Sequence, residues 1–262
     1  MAAVFSRAAD HIPKTNFGGL MEQIYTIPVN EAFEASAADK SCGCPFCSLY
    51  NKLEDDELEL ILGASMMEPD VRIQTNKEGF CRTHYDMMFT RKNRLGMALT
   101  LESHLAELSK EIKDGKLFSP AGARPMKRIA ALEDSCYVCR RIEFNFGHMI
   151  ETAALLWETD GEFRKKFAAQ PYFCLPHYRR LLYVASGRIE KKKFAEFEKV
   201  AASIVNGYME ELQEDVSWFC KKFDYRYDGE PWYNSKDAVE RSMRFLRSDL
   251  HHPPETKKAK KY

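Results

Sequence analysis

The chain has 262 residues, 45% of them hydrophobic and 30% charged, and its 39 basic and 39 acidic residues cancel. This is the composition of an ordinary globular protein, and zero net charge argues against a surface-wide attraction to nucleic acid or to an anionic membrane. No apolar run reaches the ~18 residues of a transmembrane helix, and the N-terminus lacks the apolar core of an export signal. We therefore expect a cytoplasmic protein with reduced cysteines and no membrane contact.

The chain opens with residues 1–20, for which we expect a disordered extension, because patterned sequence begins only at MEQIYTIPVNEAF. Met21 is thus a candidate for the functional start. A first helical repeat is predicted over 21–115, with helix formers following His84 up to Gly115. Within this repeat, apolar residues recur at helical steps at Leu49, Leu53, Leu60, Ile61 and Ala64.

The first repeat contains CPFC, with Cys44 and Cys47, and then FCRTHY, with Cys81 and His84. The segment between Cys47 and Cys81 must run out and come back if the two motifs are to meet. A helix of ~16 residues rises ~24 Å, and the rest of the segment is long enough to return. The sequence therefore predicts that these four residues form one Cys₃His quartet.

A connector over 116–128, which contains SPAGARP, leads to a second repeat over 129–225. This repeat again carries a C-x-x-C, Cys136 and Cys139, followed by F-C-x-x-H-Y, with Cys174 and His177. The two repeats are related by offsets of 92 and 93 residues, which indicates a duplication. We predict a second quartet from these four residues. Helical stripes are predicted over 142–157 and 194–219, with a short helix in GEFRKKFAAQ between them.

Residues 226–262 are predicted to form a turn, a short helix near 236–247 and a basic disordered tail that ends in KKAKKY. No stretch of the sequence shows the alternation of apolar and polar residues that is typical of a β-strand. The predicted fold is all-α, with two duplicated helical hairpin units, each stapled by a Cys₃His site, and long C-terminal helices.

The spacing of the eight residues favours metal ligation over packing, because packing gives no reason for the same spacing to recur in both halves. Three thiolates and one imidazole form a common closed set for zinc, so two zinc ions per chain are predicted. An iron–sulfur cluster is less favoured, since such clusters more often use four cysteines. Cys42 competes with Cys44 for a place among the ligands, but Cys44 keeps the repeat spacing; Cys220 is predicted to lie in the core.

Two kinds of catalytic site fit the sequence less well. CPFC looks like the C-P-Y-C site of glutaredoxins, but that chemistry needs a βαβ sheet, and CYVC lacks the proline. A hydrolytic zinc keeps an open coordination position, whereas four protein ligands close the site. The motifs H-E-x-x-H and H-x-E with P-C-x-x-C are absent. No catalytic residue is assigned.

With its paired C-x-x-C and F-C-x-x-H-Y motifs and YTIPVNEAF near residue 25, the sequence resembles a bacterial family catalogued only as a domain of unknown function, of the 6062 type. The resemblance covers roughly Met21–Asp228 and all eight ligand positions. It implies a helical, metal-binding cytoplasmic protein without an assigned task. We expect a non-enzymatic scaffold that binds a protein partner or itself. The alternative is a thiol or metal-dependent enzyme, an oxidoreductase or transferase, and nucleic-acid binding is disfavoured.

Overall fold

A computed structural model describes residues 20–113 and 122–252, and side chains from residue 24 onward. This part of the chain forms eleven α-helices and no strand, which confirms the all-α prediction. None of these helices is both long and apolar enough to span a bilayer. The helices are α1 (Leu20–Ala38), α2 (Pro45–Leu62), α3 (Pro69–Glu78), α4 (Arg82–Thr90), α5 (Arg94–Lys113), α6 (Ala123–Glu133), α7 (Tyr137–Thr159), α8 (Gly161–Ala168), α9 (Leu175–Arg188), α10 (Lys191–Lys221) and α11 (Ala238–Arg247).

Most predicted helices are present, with two differences. The stretch after His84 forms two helices, because the Asn93 side chain accepts a hydrogen bond from the Gly96 amide (2.9 Å) and so caps the start of α5. The helix α6 begins at Ala123, inside the predicted connector. The predicted N-terminal extension up to residue 19, the helix end at Gly115 and the basic tail lie outside the described residues.

The described residues fall into two compact units, each assembled from both sequence repeats. Unit one comprises Lys52–Asn145, apart from the undescribed 114–121, together with residues 251–252. In it α3 packs against α5, and α5 packs against α6. Its buried apolar side chains come from α2, α4 and α7 together with Phe80, and they are Leu58, Ile61, Leu62, Phe80, Met87, Met88, Tyr137, Val138 and Ile142.

Unit two comprises residues 20–51 and Phe146–Leu250. Here α1 packs against α8, and α9 and α11 both pack against the 31-residue helix α10. The core of unit two is mostly aromatic, with Phe33, Phe46, Phe146, Trp157, Phe163, Phe167, Phe173 and Phe197 all almost fully buried. The rings pack edge-on or tilted at about 5–6 Å, as Phe33 does with Phe46 (5.4 Å), and these are the favourable geometries for aromatic pairs.

Candidate metal centres

Each of the four ligand motifs lies at the start of a helix. Cys81 and Cys174 are the N-cap residues of α4 and α9, while Cys44 and Cys136 immediately precede α2 and α7. The second ligand of each motif follows three residues later, on the first helical turn, so both side chains point to the same side of the helix start. The N-terminal end of a helix carries a partial positive charge, which stabilises thiolates.

The first cluster, which we call the His177 quartet, contains Cys44, Cys47, Cys174 and His177 and lies in unit two. The His177 Nδ1 atom is 3.1 Å from the Cys174 sulfur, 3.5 Å from that of Cys47 and 3.8 Å from that of Cys44. The sulfurs of Cys47 and Cys174 are 3.7 Å apart. All four side chains are buried.

The second cluster, the His84 quartet, contains Cys81, His84, Cys136 and Cys139 and lies in unit one. The His84 Nδ1 atom is 3.2 Å from the Cys81 sulfur, 3.3 Å from that of Cys136 and 3.4 Å from that of Cys139. The sulfurs of Cys81 and Cys139 are 3.9 Å apart. Cys81 and Cys139 are only partly buried.

The structure thus brings together all eight predicted residues, but the predicted grouping is wrong. Each quartet combines the C-x-x-C of one repeat with the C-x-x-H of the other. The outgoing helices α2 and α7 have 18 and 23 residues and rise ~27 and ~35 Å, whereas the returning helices α3 and α8 have 10 and 8 residues and rise ~15 and ~12 Å. In each repeat the returning helix is thus shorter than the outgoing one, and each C-x-x-H lies beside the C-x-x-C of the other repeat.

Both quartets fit a tetrahedral zinc ion. Zinc–sulfur and zinc–nitrogen bonds of about 2.3 and 2.05 Å place sulfurs about 3.8 Å apart and a sulfur about 3.6 Å from a nitrogen. The distances given above, from 3.1 to 3.9 Å, lie around these values. In each quartet all four donor atoms lie within 4.8 Å of one another. The soft sulfur-rich donor set matches zinc better than the hard cations magnesium and calcium, which prefer oxygen.

In both quartets the pKa of the cysteine from the C-x-x-H motif is lowered. Hydrogen bonds with Cys136 and Cys139 lower the pKa of Cys81 strongly, and those with Cys136 and Cys81 raise the pKa of Cys139. The pKa of Cys174, the equivalent of Cys81, is likewise lowered by its neighbouring thiols. Three thiolates at this spacing repel one another, so a cation is needed for all three to be ionised. Metal binding would displace the remaining protons.

The His84 imidazole is held by a buried carboxylate that sequence reasoning missed. Its Nε2 atom is 2.9 Å from Glu54 Oε1, and the same oxygen is 2.6 Å from His251 Nδ1. Both lengths are those of hydrogen bonds. Burial lowers the pKa of His84, but hydrogen bonds with Cys136, Cys81 and Glu54 outweigh it and raise that pKa to about 11. A carboxylate behind a ligating imidazole fixes the ring orientation and makes the ligand more basic.

The His177 imidazole is surrounded by aromatic rings. The Phe146 ring lies edge-on to it at 5.1 Å, and the Phe46 ring is tilted at 6.1 Å. Both phenylalanines are almost completely buried. These rings exclude water from the His177 quartet and restrict the rotation of the imidazole by packing.

The two remaining cysteines lie outside the quartets. Cys42 is exposed, in the short 3₁₀ turn Lys40–Cys42, and takes no part in the His177 quartet, to which Cys44 contributes. Cys220 is also exposed, so its predicted place in the core is wrong. The buried residues of α10 are Phe197, Ala201, Val205 and Leu212, and Cys220 follows eight residues after the last of them, near the end of the helix.

Comparison with known proteins gives one match. Residues 20–253 match the family described as "Family of unknown function (DUF6062)". The match confirms the resemblance noted from the sequence and extends it beyond Asp228. No curated protein and no solved structure matches the chain.

Proposed function

We propose that this chain, which belongs to the DUF6062 family of unknown function, is a helical scaffold held together by two structural zinc ions. The observation that carries the proposal is the geometry of the two quartets, each of which presents three sulfurs and one imidazole nitrogen at tetrahedral spacing. Each ion would fasten the starts of two helices that belong to different repeats. The ions would therefore tie the two repeats to each other.

A structural role follows from the closed donor set. Four protein ligands leave no position for a water molecule or a substrate, whereas catalytic zinc keeps one open. Structural zinc binding also contributes directly to folding, with apparent values of roughly 10–16 kcal/mol in finger peptides. On this proposal the zinc ions fix the helices, and the task of binding a partner belongs to the helical surface.

The test is elemental analysis of the purified full chain together with its circular dichroism before and after strong chelation. We expect about two zinc ions per chain and a loss of helical signal when zinc is removed. The exposed Cys42 and Cys220 supply the control, because Cys42→Ser and Cys220→Ser should leave the zinc content unchanged. A purified chain that contains no metal and is fully helical would contradict the proposal.

Thiol titration separates this proposal from a thiol enzyme. In the zinc-bound scaffold, only the two exposed cysteines should react rapidly with a thiol reagent, and the other six should react after chelation. A reactive catalytic thiol would instead titrate within a quartet while the metal is still bound. That result would favour the oxidoreductase or transferase alternative.

A further inference from the structure

The last described helix ends at a residue with an unusual backbone. Ser248, the residue after α11, has φ 70° and ψ 165°. This region is populated almost only by glycine, because a Cβ atom is strained there. Helices that end with a positive φ usually place glycine or asparagine at that position. A serine at such a position is unusual, and the contacts of its side chain offer a reason for it.

The Ser248 side chain faces the His177 quartet. Its Oγ atom is 3.1 Å from the Cys174 sulfur, and the next backbone amide, that of Asp249, donates to the Cys47 sulfur at 3.4 Å. A metal-bound thiolate has no proton, so the Ser248 hydroxyl must be the donor in the metal-bound protein. Two of the three sulfurs of this quartet thus receive hydrogen bonds from consecutive residues.

The segment that supplies these donors is held by contacts of Asp249 and by the helix that precedes it. The Asn51 side-chain amide donates to the Asp249 carbonyl at 2.8 Å, and the Arg244 Nε atom is 3.3 Å from the Asp249 carboxylate. Just before it, the buried Phe245 ring packs against Tyr208 at 5.3 Å. The donors are therefore held in place before any metal binds.

We propose that Ser248 and the Asp249 amide are positioning residues for the zinc ion of the His177 quartet. They hold the Cys174 and Cys47 sulfurs in their ligating positions and reduce the charge density on them, and so slow the release of the metal. This inference rests on the proposed function. Contacts of this kind, one step outside the ligands, commonly change metal affinity by roughly 10–100-fold.

The test uses the full chain loaded with cadmium and two variants, Ser248→Gly and Ser248→Ala. Both remove the hydroxyl, but only glycine relieves the backbone strain. The readouts are the rate of cadmium release to a chelator, the cadmium NMR signal of each quartet and the free energy of unfolding. Ser186→Ala is the matched control, because that exposed serine donates to the Tyr183 carbonyl and to no sulfur.

We expect both variants to release cadmium from the His177 quartet about tenfold faster and to shift its NMR signal, while the signal of the His84 quartet stays unchanged. The Ser248→Gly chain should nevertheless have the same free energy of unfolding as the natural chain or a higher one, a combination that a purely structural role would not produce.

The inference would be overturned if Ser248→Gly released cadmium at the natural rate with an unchanged NMR signal. It would also be overturned if the signals of both quartets changed equally. If the natural chain binds no cadmium, the proposed function fails together with this inference. If it binds two ions and Ser248→Gly behaves like the natural chain, this inference alone fails.

Discussion

The two quartets have the same four donors and the same helix starts, but their histidines are supported by different chemistry. Glu54 follows Cys44 by ten residues, and Phe146 follows Cys136 by ten, so the two occupy equivalent places in the repeats. One hydrogen-bonds to His84 in unit one, and the other packs its ring against His177 in unit two. Each histidine therefore stays beside the long helix of its own repeat, although its cysteine partners from C-x-x-C belong to the other repeat.

The contrast indicates that the quartet residues and the side chains around them are under separate constraints. The tetrahedron admits only thiolate and imidazole donors at one spacing. The side chain behind the imidazole can either bind its free nitrogen or restrict the ring by packing. The two compact units also differ in their cores, because the core of unit one is mainly aliphatic and that of unit two is mainly aromatic. In unit two the side chain beside the histidine is aromatic like the core around it. In unit one it is a buried carboxylate, unlike the aliphatic core around it.

The largest effect should come from the loss of one quartet at a time. We expect Cys174→Ser to remove one zinc ion and to reduce amide protection in α9 and its neighbours in unit two. Cys139→Ser should remove the other ion and reduce protection in α4 of unit one. Zinc analysis and hydrogen exchange measure both effects, with Cys42→Ser as the exposed control. If either variant lost both ions and all protection, the two sites would not be separable as described.

The next effect concerns the supporting side chains. Glu54→Gln should weaken zinc binding at the His84 quartet by roughly 10–100-fold, because the imidazole loses its charged hydrogen-bond partner. Phe146→Leu should change zinc affinity little and lower the free energy of unfolding by about 1 kcal/mol through lost packing. Competition with a chromogenic chelator and urea denaturation measure the two quantities. Equal losses of affinity in both variants would remove the contrast between the two sites.

A third effect concerns the backbone that leads into the C-x-x-H motifs. Gly79 lies two residues before Cys81 and has φ 60°, whereas the equivalent residue before Cys174 is Tyr172, which stacks on Tyr208 at 4.2 Å. A Cβ at Gly79 would be strained and would lie 3.1 Å from the Leu132 side chain. We expect Gly79→Ala to lower the free energy of unfolding by about 1–3 kcal/mol.

The control for this variant is Gly161→Ala at the start of α8, where a Cβ would meet nothing within 4 Å. It should change stability by less than about 1 kcal/mol in either direction. Urea denaturation of both variants gives the comparison. A Gly79→Ala chain as stable as Gly161→Ala would show that the positive φ at residue 79 is not required.

The sequence was sufficient to predict the fold class, most helices and the eight residues that form the two quartets, because helical periodicity and a two-residue gap are both local signals. It could not predict the grouping of the ligands. Cys47 lies 34 residues from Cys81 and 127 from Cys174, and closing the longer loop costs only about 1.2 kcal/mol more. This difference in loop-closure free energy is small compared with the free energy of structural zinc binding. Proximity in the sequence therefore does not determine which C-x-x-C and C-x-x-H motifs meet; that depends on tertiary packing.

The predicted stripe on α2 is only partly confirmed: Leu49 and Ile61 are buried, but Leu60 is 50% exposed. The stripe omits the buried Leu58 and, four residues before it on the same side of the helix, the buried Glu54. An acidic residue among the apolar residues of a helix face is a signal for such a buried site, because a buried acid needs a hydrogen-bonding or charged partner. Ser248 offered no such signal, because its backbone conformation depends on tertiary contacts.

The exchange of motifs between the repeats can be tested by measuring the zinc content of two double variants. Cys47→Ser with Cys174→Ser removes two ligands of one quartet, whereas Cys47→Ser with Cys81→Ser removes one ligand from each. The exchange of motifs between repeats predicts one zinc ion per chain in the first double variant and none in the second. One ion in the second and none in the first would mean that each repeat closes its own site, and the structure described here would be contradicted.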